Sequence, residues 1–365
     1  MDDRSKRYAH IRRWLWLAEL AASTGLLVFL LLSGIAQRLG GWTLQRASAW
    51  PLQVALYTAI LWLGFTLLFF PLDVFRGFFL EHRFGLSTQK FGGWLADTLK
   101  QLAIGGLMGL ALVEALAFLL RAAPEHWWAW AAVGWIFWSV LLTRLAPVFL
   151  IPIFYRQKPL EDARLKERLE RLMERCSTPV RGIFEINLSR TTRKANACLC
   201  GMGASRRVLI SDTLLTAYPP EEVEVVLAHE VGHHRRHHIG ILILAGSAAV
   251  GLSCFAVDRA VRAAMVPLGL AGWEDLAVLP LLALGLTLAN LLLMPALNGL
   301  SRRLEAQADR FALEKSGPPA AFIGAMRRLA EQNLAEIKPP RWVEWMFYDH
   351  PSIGRRIEMA ERWNP

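Results

Sequence analysis

The chain has 365 residues, of which 54% are apolar, and a formal net charge of +10. Its mean hydropathy is +0.30, and the apolar residues are bunched into long runs, which excludes an ordinary soluble globular domain. The Lys and Arg residues lie in loops that flank these runs and accompany no known binding motif, so we expect no nucleic-acid partner.

Six apolar segments are long enough to cross about 30 Å of hydrocarbon as helices. They cover residues 14–36, 54–72, 101–120, 127–154, 239–257 and 276–297. The first is too long for a cleavable signal, and five more follow it. We therefore predict a mainly α, polytopic bundle of about six transmembrane spans that sits in a lipid bilayer, with four of its spans in an N-terminal region, residues 1–154.

Orientation follows from the positive-inside rule. Lys and Arg are dense before the first span and between the second and third, whereas the opposite loops hold few. Both termini and the large polar segments are therefore expected on the cytoplasmic side of a bacterial inner membrane or an ER membrane. Trp127, Trp128 and Trp130 are expected to form an aromatic belt on the far side.

Several side chains allow two interpretations. Glu19 and Glu114 lie inside apolar spans, where a carboxylate either contacts substrate or an internal cavity, or is protonated or hydrogen-bonded inside the bundle. Cys198 and Cys200 are one residue apart, which makes an incomplete metal site. With two further Cys and no secreted framework, we interpret them as reduced thiols.

Two polar blocks follow the fourth and sixth spans. In the first, residues 160–173 are charged and amphipathic, which predicts a helix, and residues 182–188 and 207–210 have strand character. A helix over 221–238 is predicted to begin after Pro219 and Pro220. In the second block, 300–315 and 318–333 are predicted to be helical. The second unit, residues 155–365, thus combines this small sheet with two spans and a C-terminal helical segment.

His229-Glu230-Val231-Gly232-His233 is an H-E-x-x-H motif on a predicted helix. A spacing of four places both imidazoles on one face, where they suit two ligands of one tetrahedral zinc ion. Glu230 projects beside them as a candidate general base. The motif also occurs by chance, so a third ligand is needed to support the assignment.

Glu305 is the candidate third metal ligand, with Asp309 four residues later on the same helix face. Asp309 would orient a zinc-bound His through its second ring nitrogen. The competing interpretation is an ordinary solvated face of acidic and basic residues. Near the motif, His237 is four residues past His233 and mimics a ligand spacing. We interpret the basic run of residues 234–238 instead as the boundary of the fifth span.

Several blocks beyond H-E-x-x-H resemble the type I CAAX prenyl protease family of integral-membrane zinc metallopeptidases, which is related to the heat-shock membrane protease HtpX. The matching blocks lie in the expected order at residues 80–87, 147–160, 194–214, 300–312 and 350–357. The last contains His350-Pro351 followed by Arg356. Two departures stand out: Cys198 replaces an aromatic residue, and six spans are counted where eukaryotic members have seven. The second departure puts in doubt a fully closed intramembrane chamber.

The resemblance implies a zincin-like fold for the polar domain, one Zn²⁺ per chain, and hydrolysis of peptide bonds. His350 and Arg356 would stabilise the oxyanion or donate a proton. Residues 194–200 would form an edge strand that pairs with an extended substrate, with Asn196 and Ala197 at the substrate. An alternative for Asn196 is a simple turn residue, and for His350 a His-Pro turn.

The substrate class stays open between two enzymatic hypotheses. The first is cleavage of membrane-associated or C-terminal CAAX-type, prenylated peptides. The second is quality-control proteolysis of membrane proteins, as in HtpX. A third hypothesis, from a different class, is a catalytically silent membrane scaffold, against which the intact set of site residues argues. A transporter would require repeat symmetry and paired broken helices, and neither is found.

Overall fold

The computed structural model describes residues 2–201 and 206–364, which are mostly helical. The helices are α1 (Asp2–Leu32), α2 (Ile35–Arg46), α3 (Trp50–Val74), α4 (Leu80–Arg83), α5 (Phe91–Ala122), α6 (Trp127–Leu145), α7 (Ile151–Phe154), α8 (Ala163–Arg175), α9 (Asp212–Ala217), α10 (Pro220–Arg235), α11 (His238–Met265), α12 (Val278–Lys315), α13 (Pro319–Asn333), α14 (Arg341–Phe347) and α15 (Ile353–Glu361). The strands are β1 (Gln157–Pro159), β2 (Ile183–Ile186), β3 (Ala197–Cys200) and β4 (Arg207–Ser211).

Six helical segments of the described chain are long and apolar enough to span a membrane, as predicted. They run over Asp3–Leu32, Trp50–Arg83, Phe91–Ala122, Trp127–Phe154, His238–Met265 and Val278–Lys315. Their most apolar windows are only 6–17% buried, so most of this surface has no protein partner and requires lipid. The polytopic bundle is therefore confirmed.

The first span ends earlier than predicted. Gly34 adopts a φ of +73°, a left-handed conformation that a β-carbon disfavours, and α1 stops at Leu32. The short helix α2 follows, an element that hydropathy alone did not separate from the span. In the second and fourth spans, the α-helix gives way to single π-helical turns, Phe75–Phe79 and Ala146–Leu150, near prolines that cannot donate a backbone hydrogen bond.

A four-stranded mixed sheet lies beside the helices, in the order β1-β2-β4-β3. β2 and β4 are parallel, and the outer strands β1 and β3 are antiparallel to their neighbours. The small predicted sheet is thus present, with β3 at one edge. The inner strands pack on α8, α10 and α13 through one apolar core that includes Leu169, Val208 and Leu227.

The two helices that carry the predicted metal ligands continue almost directly into spans. The helix predicted over 221–238 is broken: α10 ends at Arg235, and α11 begins at His238 after His237 adopts a φ of +57°. α12 is unbroken over 38 residues, a length of about 57 Å, so it carries its apolar half straight into its polar half. The ligand residues are therefore held by the ends of the fifth and sixth spans.

Candidate metal centre

Helix α10 begins with Pro220 at its first turn and has Glu221 and Glu222 there, where the helix dipole favours acidic side chains. It lies against α12 at very close range. A β-carbon built on Gly232 would be 3.1 Å from the Cα atom of Ala308, so any side chain at this position would crowd the approach of the two helices. The contact brings the H-E-x-x-H face of α10 to the acidic face of α12.

Three side chains converge where the two helices meet. The Nε2 atoms of His229 and His233 are 3.1 Å apart, and each is 3.2 Å from a carboxylate oxygen of Glu305. Ligands bound at 2.0–2.1 Å to a tetrahedral zinc ion are about 3.4 Å apart, so the spacing fits one ion. Among the described residues, buried Glu305 Oε2 makes no well-formed hydrogen bond and has His229 Nε2 as its neighbour at 3.2 Å, as expected of two atoms that face one shared ion.

Asp309 and Arg356 support this cluster from behind. Asp309 Oδ1 lies 2.8 Å from His229 Nδ1; the sequence predicted a contact with one of the two histidines, and the structure places it at His229. Arg356 donates from Nε to Asp309 Oδ2 over 2.8 Å and from Nη2 to Oδ1 over 2.5 Å. Burial lowers the pKa of His229, but the hydrogen bond and charge of Asp309 outweigh it and raise that pKa to about 9. Arg356 is itself buried, and both of these donor atoms point to Asp309.

His238 is a further part of the cluster, which sequence analysis missed. It is fully buried, with its Nδ1 3.1 Å from Nδ1 of His233 and its Nε2 3.3 Å from Oε1 of Gln307. On a continuous helix, five residues would place it about 140° away from His233. The left-handed residue His237 resets this register, and His237 itself is exposed.

Glu230 lies between the cluster and the edge strand β3. Burial raises its pKa above the usual range of a glutamate, opposed by the nearby His229 and His233 and by a hydrogen bond from the Leu199 backbone. His234 Nε2 lies 2.7 Å from the Leu199 carbonyl oxygen. These contacts fix β3 beside the H-E-x-x-H helix.

Of the residues expected at the substrate, Ala197 begins this strand and Asn196 directly precedes it. Asn196 exchanges contacts with Ser211 of β4: its N–H donates to Oγ over 3.0 Å, and its carbonyl accepts from the Ser211 N–H over 2.9 Å. Because pairing alternates along an antiparallel ladder, Ala197 directs its N–H and C=O to the outer edge. The side chain of Asn196 is exposed.

His350 reaches the cluster from the segment before α15. Its Nε2 is 3.3 Å from Glu305 Oε1, its Nδ1 is 2.8 Å from Asp349 Oδ1, and its side chain is half-exposed. The hydrogen bond that His350 Nδ1 donates to Asp349 raises the pKa of His350 against the effect of burial. The imidazole therefore lies at the open side of the cluster.

The other polar residues singled out in the sequence lie elsewhere. Glu19 accepts a hydrogen bond from Arg76 of the second span at 2.6 Å, which fits the interpretation of a hydrogen-bonded group inside the bundle. Cys198 and Cys200 are free, half-buried thiols on β3. Neither thiol belongs to the group of His229, His233 and Glu305.

Comparison with known proteins accounts for nearly the whole chain. Residues 159–364 match peptidase family M48, and residues 3–156 match the family described as CAAX prenyl protease N-terminal, five membrane helices. Within residues 3–156 the structure has four candidate spans.

The chain also aligns with most of the length of individual relatives. The uncharacterized metalloprotease YhfN of Bacillus subtilis is 28% identical over 363 residues, 98% of this chain and 85% of the relative. CAAX prenyl protease 1 of Saccharomyces cerevisiae is 26% identical over 311 residues, 80% and 68% of the two chains. The crystal structure of S. mikatae Ste24p superposes with a TM-score of 0.87 at 22% identity, covering 98% of this chain and 88% of the other, so the fold is shared.

Proposed function

This chain belongs to peptidase family M48 and is a membrane metalloprotease, and from that premise we propose that it is a zinc endopeptidase whose ion is held by His229, His233 and Glu305. One observation carries the proposal: the Nε2 atoms of His229 and His233 lie 3.1 Å apart, and each lies 3.2 Å from an oxygen of the buried Glu305 carboxylate. Two imidazoles and one carboxylate are a ligand set typical of catalytic zinc, which keeps one position open.

Glu230 is proposed as the general base. When bound, zinc supplies Lewis acidity toward the attacking water and the scissile carbonyl. The raised pKa of Glu230, caused by burial, suits a carboxylate that takes a proton from water and returns it to the leaving amine. His350, on the open side of the cluster, would donate a hydrogen bond to the oxyanion that develops on the carbonyl.

Arg356 is proposed to act through Asp309 and not at the oxyanion. The family resemblance suggested either oxyanion stabilisation or proton donation for this residue. Its guanidinium instead makes two hydrogen bonds to Asp309, whose other contact is His229. This chain of contacts fixes the ring orientation of His229, so Arg356 is a positioning residue.

An extended peptide is proposed to add to the outer edge of β3. The N–H and C=O of Ala197 would pair with its backbone, and the Asn196 amide would contact the next residue. Main-chain pairing requires little of the substrate sequence. The class of substrate must therefore be selected by how the peptide is delivered to the edge.

The position of the site favours substrates held at a membrane surface. Only Arg236 and His237 separate α10 from the helix of the fifth span. Several relatives are named CAAX prenyl protease 1, which supports C-terminal prenylated peptides as the substrate class. We propose this class first, with membrane-protein quality control as the alternative. The N-terminal unit 1–154 and the peptidase unit 155–365 would act together, with the site on the cytoplasmic side.

The test is cleavage by the full chain, purified in detergent, of a farnesylated C-terminal CAAX peptide and of its unprenylated twin. Glu230→Gln is the matched control, because it keeps the side-chain volume and the metal ligands but removes the base. We expect its turnover to fall by on the order of 10²–10⁴ with zinc content unchanged. Zinc is measured by elemental analysis on the same samples.

The ratio of the cleavage rates of the two peptides distinguishes between the substrate hypotheses. Preference for the farnesylated peptide supports the prenyl-peptide proposal, and equal cleavage shows that lipid is not recognised. Cleavage only of unfolded membrane proteins would favour quality control. Zinc-free protein without activity would contradict the proposal. A Glu230→Gln variant that retains all function would indicate a scaffold.

A further inference from the structure

A second site candidate lies beside the metal cluster, in a surface cavity of about 520 Å³. Four arginines and two carboxylates line it, together with Pro295 and Trp345: the charged residues are Arg302, Arg303, Arg355, Arg356, Asp309 and Glu344. Four guanidinium groups against two carboxylates leave an excess of two positive charges. The cavity therefore suits an anion.

The four arginines differ in how many hydrogen bonds and ion pairs their guanidinium groups already make within the chain. Arg356 is bound to Asp309, and Arg302 donates to the main-chain oxygens of Glu344 and Trp345. Arg355 is 58% exposed, and its Nε lies 3.4 Å from a carboxylate oxygen of Glu344. Arg303 is exposed and makes no ion pair with any carboxylate of residues 2–201 and 206–364. Arg303 and Arg355 are thus the groups available to a ligand.

The cavity lies where α12 leaves its apolar half. Pro295 belongs to that half, and Arg302 and Arg303 follow seven and eight residues later. At 1.5 Å per residue, the cavity lining extends about 11–12 Å along the helix. The headgroup layer on each side of a bilayer is about 5–8 Å thick. The cavity therefore reaches from the edge of the hydrocarbon into the depth of the headgroups.

Helix α14 forms the neighbouring wall and has the features of an interfacial element. Asn298 of α12 donates to the Met346 carbonyl over 2.7 Å, and the Phe347 ring lies 5.4 Å from that of Trp16 in the first span. Trp342 and Trp345 are 64% and 59% exposed. Exposed tryptophans at the level where spans leave the hydrocarbon are typical of residues that lie among lipid headgroups.

We propose that this cavity binds the phosphate headgroup of an anionic phospholipid. Arg303 and Arg355 would contact the phosphate oxygens, for which the planar guanidinium is well suited. Trp345 would lie beside the glycerol and upper acyl chain, toward Pro295. Because Asp309 and Arg356 form part of the same wall, the lipid would sit directly behind the contacts that orient His229.

Direct lipid binding to the full chain tests this without reference to peptidase activity. The chain is purified in an uncharged detergent and titrated with phosphatidylglycerol or with phosphatidylcholine of the same acyl chains, and native mass spectrometry counts the bound lipid. The variant is Arg303→Gln/Arg355→Gln. The matched control is Arg310→Gln/Arg327→Gln, two exposed arginines outside the cavity that give the same change in charge.

We expect wild type to prefer phosphatidylglycerol, the cavity variant to lose about tenfold in affinity for it, and the control to change less than about twofold. The single substitution Arg303→Gln removes an unpaired exposed charge and should retain the fold, with an intermediate loss. Equal affinity in all variants would overturn the proposal. So would displacement of the lipid by millimolar inorganic phosphate, or by a peptide with a free C-terminal carboxylate but not by its amide.

Discussion

The two sides of Glu230 differ in how far their polar groups are already satisfied within the chain. On the α12 side, His229 is bound to Asp309, Asp309 to Arg356, and His233 to His238. On the β3 side, Leu199 hydrogen-bonds to His234 of α10, while Ala197 faces outward and Asn196 is exposed. Under the proposed function, the metal side is organised before substrate arrives, whereas the strand side would be completed by the substrate.

This difference has a physical reason. A metal ligand that moves by 1 Å loses its bond, so its orientation must be fixed by hydrogen bonds that do not depend on the substrate. A sheet edge gains its hydrogen bonds only on binding, and an open edge is what makes strand addition favourable. Substitutions on the two sides should therefore have different signatures, in metal content on one side and in KM on the other.

The largest effect is expected from Glu305→Ala, which removes a ligand from the metal side. Loss of the carboxylate leaves two imidazoles and should lower both zinc occupancy and kcat, the latter by about 10³-fold or more. Elemental analysis and peptide hydrolysis measure the two quantities. Glu314→Ala, at an exposed position on the same helix, should change neither. Full zinc binding by the Glu305 variant would refute its role as a ligand.

Asp309→Asn should come next, because it keeps the shape of the side chain but removes the charge that holds His229 and Arg356. Metal affinity is expected to fall by about 10–100-fold. The fold should also be less stable by about 3–5 kcal/mol, since Arg356 would be left as an unpaired buried charge. Competition with a zinc chelator and thermal unfolding report these changes. As a control, Glu358→Gln breaks only a half-exposed pair with Lys338 and should have little effect.

His238→Phe tests the residue that sequence patterns did not reveal. It retains most of the buried volume but removes the hydrogen bond to His233, and we expect about a tenfold weaker zinc affinity. His237→Asn is its neighbour control, because asparagine accepts the left-handed backbone at this exposed position. If the His237 variant loses zinc instead, the assignment of the two histidines is reversed. Chelator competition distinguishes these outcomes.

The smallest effect is expected on the strand side. Asn196→Ala removes an exposed amide and should raise KM by about threefold to tenfold, the range of one hydrogen bond. Zinc content and thermal stability should stay at their wild-type values. Steady-state kinetics with one peptide measures the change. A loss of zinc or a large fall in stability would place Asn196 among the structural residues and contradict its proposed contact with substrate.

Sequence patterns predicted the parts of this molecule that depend on local chemistry or on long apolar runs. Six spans and the helix that carries H-E-x-x-H follow from hydropathy and from spacing on a helix, and spacing also brought Asp309 to the ligand face without deciding between His229 and His233. The arrangement around His238 could not be predicted in this way. It depends on one left-handed residue, His237, and no pattern in the sequence distinguishes that break from a continuous helix.

Contacts that join distant segments were also beyond prediction. The bond between Arg356 and Asp309 links positions 47 residues apart, and the resemblance gave Arg356 a role at the oxyanion. Similarly, the arginine-lined cavity brings Arg303 together with Arg355 only after α15 packs beside α12. Tertiary packing determines which residues meet at such sites, and no local pattern in a single sequence indicates that packing.

Helix α10 ends only two residues before the fifth span, and the sixth span continues without a break into the polar half of α12. This continuity limits how the molecule can be divided into fragments. Two of the three candidate ligands lie on a helix that stops two residues before a span, and the third lies on a span's own continuation. A catalytic fragment without the spans would require a cut between α10 and α11 and a second cut within α12, and it would lose the packing of α11 on the apolar half of α12. We therefore expect the candidate metal centre to depend on the spans for its stability, and we expect no active peptidase to be released from the membrane by proteolysis.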